Sequence, residues 1–137
     1  GHVDTFNRNR ALLVGGILKW RSAGDVNGAK ERWKKILDSG DGVIGPLAAC
    51  LLDRTAPDAL AVSCPADAWN EAGIYLSYTL GVAAWMHGEM AVAERHLGQV
   101  VALRQADKRK EHDMSLLESW AVADLARIRS ERDETRP

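Results

Sequence analysis

The sequence predicts an all-helical fold, and three observations lead there. Period-two alternation of β-branched residues is absent, as is an Asn-Gly hairpin turn. Apolar residues instead recur at helical steps along most of the chain. Gly24, Gly40 and Gly88 stand just past the ends of such stretches, where a positive φ costs glycine nothing.

Taken in order, a first helix is expected from Thr5 to Ser22 and a second from Val26 to Asp38, stopping at Ser39-Gly40. Gly45-Pro46 reads as an N-cap followed by proline at the first helical position, opening a helix to Arg54. Pro57 and Pro65 mark residues 55–64 as a loop or one short helical turn, and a long helical pattern then runs from Pro65 to His87. The next helix covers Glu89 to Gln105, and the charged stretch 106–112 connects it onward. Ser115 and Glu118 have capping-box spacing and open a last helix to Arg129, with Leu117, Ala121, Leu125 and Ile128 on its apolar face. Gly1-His2 reads as an expression-tag remnant and 131–137 as a fraying tail, which leaves one domain over 3–130.

Charge excludes some classes of function. Lys plus Arg is 18 and Asp plus Glu is 19, a net charge of -1, and a nucleic-acid binder would carry a basic excess. Residues 1–42 hold eight basic and five acidic side chains, residues 43–103 only two and six. Such a charge-poor middle suits a core or a partner surface. The longest apolar run, Ala11 to Leu18, is too short to span a bilayer. Cys50 and Cys64 are too few for a disulfide scaffold and read as buried thiols of a cytoplasmic protein.

An internal repeat appears when Gly24 is superposed on Gly88. Apolar residues follow each glycine at offsets 2, 5, 9 and 12: Val26, Ala29, Trp33 and Ile36 in one copy, Met90, Ala93, Leu97 and Val100 in the other. An acidic residue, Asp25 or Glu89, comes directly after each glycine. Upstream, Gly16-Ile17 aligns with Leu80-Gly81, and Gly15-Gly16 is suited to a close helix crossing. Each copy reads as helix, glycine turn, amphipathic helix, and a single hairpin of this kind cannot bury its own apolar face.

Leu80-Gly81, Gly88, Ala93 and Leu97 make the second copy resemble the tetratricopeptide repeat (TPR) family, with Gly24, Ala29, Trp33 and Ile36 as the first. The separation of 64 residues is close to two repeats of about 34. The family's aromatic near the start of the first helix and its closing proline are missing, and Trp69 to Gly73 echoes its opening in a conflicting register. The resemblance implies antiparallel hairpins stacked as a short TPR-like array; a compact helical bundle is the alternative. It also implies an adaptor, chaperone, inhibitor or regulatory subunit that binds a protein or peptide without catalysis.

No catalytic or metal motif accompanies this pattern. His-Glu-x-x-His and Cys-x-x-Cys spacings are absent, as are Gly-x-Ser-x-Gly and a phosphate-binding glycine loop. His87-Gly88-Glu89 echoes the zinc deaminases but lacks their Pro-Cys-x-x-Cys partner. No cofactor, metal, nucleic acid or membrane is therefore expected, while a homo-oligomer stays open. Trp20, Trp33, Trp69, Trp85 and Trp120 outnumber Phe and Tyr together. Trp33 and Trp120 fall on core faces. The partner-binding groove is assigned to first-helix residues: Trp20, Tyr78, Ala84 and Trp85. A small-molecule-sensing regulatory domain with a Trp-lined pocket is the rival reading, and an enzyme site around His87, Glu89 and His96 is the third.

Overall fold

The computed structural model describes residues 2–42, 44–52, 73–106 and 112–134. Among them the chain is all-helical, with six helices and no strand. These are α1 (His2–Ala23), α2 (Val26–Asp38), α3 (Ile44–Leu51), α4 (Gly73–Met86), α5 (Met90–Ala106) and α6 (His112–Glu134). They fall into two compact units, residues 1–63 and 64–137. The expectations for the 55–64 loop, Cys64, the helix start at Pro65, Trp69 and connector residues 107–111 lie outside the described residues.

In the first unit α1 and α2 form a hairpin closed by Gly24, whose φ is 65°. Its N–H donates to the Trp20 carbonyl at 3.0 Å, so one of the orphan carbonyls of α1 is satisfied. Asp25 then caps α2, its carboxylate accepting from the Gly28 N–H at 2.8 Å. The two helices run antiparallel: Trp33 lies against Gly16 and Leu13, while Ser39 at the far end of α2 meets Asn9. Ala29, Trp33 and Ile36 are fully buried, as their spacing requires. Val26, in the first turn, is 38% exposed, so the apolar pattern overstates the core by one position.

Gly16 explains how the hairpin closes. A Cβ there would fall on the Trp33 indole, 2.9 Å from Cε2. Glycine is therefore what lets a full tryptophan insert between α1 and α2. Neighbouring Gly15 has no such role, since its Cβ would meet only Arg32 at 3.9 Å.

α3 corrects one boundary. Its cap is Asp41 rather than Gly45: the Asp41 carboxylate accepts from Ile44 N–H at 3.0 Å and its carbonyl from Gly45 N–H at 3.1 Å. An aspartate side chain can accept this bond, whereas a glycine has none to offer. Asn9, wholly buried, donates to Ser39 Oγ at 2.8 Å and to Asp41 Oδ2 at 3.1 Å, tying α1 to the α2–α3 corner.

The second unit repeats the device. α4 and α5 form a hairpin closed by Gly88 at φ 76°. Here Glu89 N–H donates to the Ala84 carbonyl and Gly88 N–H to that of Trp85, the paired bonds of a Schellman motif. Ala93, Leu97 and Val100 are fully buried at the same offsets as in the first copy, while Met90 at offset 2 is half-buried. Leu97 seats on Gly81, where a Cβ would come within 2.8 Å of its Cγ.

α6 packs along α5 and touches α4. Leu117, Ala121, Leu125 and Ile128 are buried, the face read from the sequence. Its ends differ from expectation. The helix opens at His112, so Ser115 is an interior residue whose Oγ accepts from Arg104 of α5 at 3.2 Å instead of capping. It also continues to Glu134 rather than ending at Arg129. Glu94 of α5 receives Arg129 at 2.8 Å and Arg132 at 2.6 Å, and Arg127 pairs with Glu131, which together hold the last turns.

Two predictions follow from this packing. Gly16→Ala destabilises the protein by about 1–3 kcal/mol through overpacking. Gly15→Ala, one residue away, stabilises it by about 0.5–1 kcal/mol through helix propensity. Urea unfolding of the two variants separates them; equal effects contradict the close approach. The hydrogen bond from Arg129, aided by Arg132, holds the Glu94 carboxyl below its usual value against a smaller opposing desolvation. A depressed carboxyl stabilises above its unfolded value, and that contribution is lost as pH falls through the folded one. Glu94→Gln therefore lowers the melting temperature at neutral pH, and the difference vanishes below the carboxylate range. A gap that persists in acid contradicts this.

Candidate functional site

Because α4 and α6 both pack antiparallel to α5, they run parallel to each other, and their facing side chains form a seam. Tyr78 and Trp85 lie seven residues apart on α4, and Trp120 and Arg127 seven apart on α6, so each pair shares one face two turns apart. At the first level the Tyr78 and Trp120 rings are tilted by 46° with centroids 6.1 Å apart. At the second, the Arg127 guanidinium lies over the Trp85 ring, 5.4 Å from its centroid. Between them the Tyr78 hydroxyl donates to Asp124 Oδ2 at 2.7 Å. The tilted aromatic pair contributes about 0.5–1.5 kcal/mol and the exposed cation–π pair about 0.5–1 kcal/mol beyond their area.

Burial is graded across this seam. Tyr78 and Asp124 are 1% and 2% exposed, Trp120 and Trp85 are half-buried, and Arg127 is exposed. A buried hydrogen-bonded pair thus fixes the register of two helices whose outer edge presents indole surface. Amphipathic, preordered rings of this kind suit contact with another molecule.

The four residues assigned to a groove from sequence are placed differently by the structure. Tyr78 and Ala84, 2% exposed, are core residues, so in this conformation neither offers a surface; both lie on a helix that is apolar nearly all round. Trp85 is half-buried on the seam. Trp20 is half-buried on α1, in the first unit. Sequence reading missed Trp120, taken as core, together with Asp124 and Arg127. A signal for Asp124 existed: it interrupts the apolar face of α6 between Ala121 and Leu125, where an acidic residue needs a buried donor.

The histidine candidates do not form a cluster by placement. His87 and Glu89 are exposed at the α4–α5 turn, whereas His96 lies two turns into α5, about 10 Å further along its axis. Among the described residues no group of three or more His, Cys, Asp and Glu is placed to hold a metal ion. No helix among them is long and apolar enough to cross a membrane. A cleft of about 460 Å³ opens in the first unit, lined by Arg8, Leu12, Lys35, Asp38 and Ser39.

Comparison with protein families, curated proteins and solved structures finds no match to this chain.

Proposed function

We propose that the chain is a non-catalytic, TPR-like helical module that binds a protein or peptide partner in the cytoplasm, and that the α4–α6 seam is its contact surface. The observation that supports this is the pair of half-buried tryptophans, Trp85 and Trp120, held on facing helices over the buried Tyr78–Asp124 bond. Partly exposed tryptophan with a rigid backing loses little entropy on binding and is frequent among residues that dominate interface energetics. Two glycine-closed hairpins with equivalent buried offsets support the TPR-like reading. An adaptor, chaperone, inhibitor or regulatory subunit would use such a surface in the same way. A small-molecule-sensing regulatory domain with a Trp-lined pocket is the rival reading.

Capture from native extract with the wild type, Trp85→Ala and Trp120→Ala tests this reading. A partner held by the wild type should lose at least about tenfold in affinity in each variant, the cost of about 1.4 kcal/mol per anchor. Circular dichroism should show unchanged helicity. Capture that is indifferent to both substitutions contradicts the seam.

A further inference from the structure

The cleft of the first unit has a chemistry that the partner-binding reading does not use. Arg8 and Leu12 lie one turn apart on α1, and Lys35, Asp38 and Ser39 share the last turn of α2 and its cap. Its volume of about 460 Å³ falls in the range of small-ligand pockets, about 300–1,000 Å³. Among the described residues its walls carry two cations and one carboxylate. None of the three makes an ion pair or hydrogen bond among the described residues, although opposite charges line one cleft.

The frame behind these side chains is fixed. Ser39 Oγ donates to the Ile36 carbonyl at 2.6 Å and accepts from Asn9 Nδ2 at 2.8 Å and from Asp41 N–H at 3.4 Å. Its hydrogen-bonding capacity is spent on the wall, so it shapes the cleft and leaves recognition to Arg8, Lys35, Asp38 and Leu12. Gly40, at φ 72°, turns the chain directly after it. Lys35 also suits the carbonyl end of α2, but that role asks nothing of Arg8 or Asp38.

We propose that this cleft binds a small zwitterion with an apolar body, of which a free α-amino acid such as leucine is the simplest member. Its carboxylate lies between Arg8 and Lys35, where the guanidinium fork can pair with both oxygens. Its ammonium pairs with Asp38, and its side chain rests on Leu12. A plain anion would leave Asp38 repelling it, and a plain cation would face two positive charges. Only a ligand carrying both signs satisfies all three groups.

Calorimetric titration of the full chain with leucine, N-acetyl-leucine and leucinamide tests this, since the last two each lack one charge. Leucine should bind saturably, and each analogue at least tenfold more weakly. Arg8→Ala with Lys35→Ala should abolish leucine binding, and Asp38→Asn should narrow the gap between leucine and N-acetyl-leucine. All three positions are exposed, so helicity should be unchanged. Amide resonances of residues 8–12 and 35–39 should move on titration. Trp85→Ala should leave leucine binding intact, which separates this site from the seam. The proposal is overturned by absent saturation at ligand concentrations on the order of 10 mM, by equal binding of the three ligands, or by binding that survives the double substitution.

Discussion

Close approach of two helices at a glycine is the constraint on which the rest of this structure depends. Trp33 can be fully buried between α1 and α2 only because residue 16 carries no side chain. That contact sets the spacing and the register of the hairpin together. With Trp33 seated beside Leu13 and Gly16, the far end of α2 arrives at Asn9, where Ser39 and Asp41 take both amide bonds and start α3. The cost is one glycine inside a helix, about 1 kcal/mol worse than alanine. Burial of an indole, on the order of 3 kcal/mol or more, offsets it.

The second unit applies the same rule with a smaller side chain. Leu97 on Gly81 fixes α4 against α5, and the Glu94 clamp with the buried stripe of α6 fixes α5 against α6. Those two registers leave no freedom in how α4 meets α6. Tyr78 therefore arrives opposite Asp124 and Trp120, and Trp85 opposite Arg127. The seam proposed as the partner surface is in this sense a product of hairpin packing. The receiving glycine sits eight residues before Gly24 but seven before Gly88, a shift that accompanies the different C-cap bonds of the two turns.

Much of this was legible in the sequence, and what was not has physical causes. The three turn glycines, the buried offsets 5, 9 and 12, and the inner face of α6 are local or periodic features, and periodicity reports them well. The caps of α3 and α6 were misread because a capping pattern shows what a side chain can do, not which competing bond it makes. Asp41 captured the start of α3, and Arg104 drew Ser115 into a bond between helices. Tyr78 and Ala84 are buried because α4 is apolar nearly all round, which leaves no periodic sign of an outer face. The Tyr78–Asp124 bond joins residues 46 positions apart, and no local spacing could announce it.

A double-mutant cycle on Gly16 and Trp33 tests the central constraint most directly. Trp33→Val removes every indole atom that a Cβ at position 16 would meet, so the cost of Gly16→Ala should disappear in that background. The predicted coupling is on the order of 2 kcal/mol, well above the ~0.5 kcal/mol scatter of independent sites. Additive effects within that scatter would contradict the account, because they would mean that Gly16 and Trp33 do not share one space.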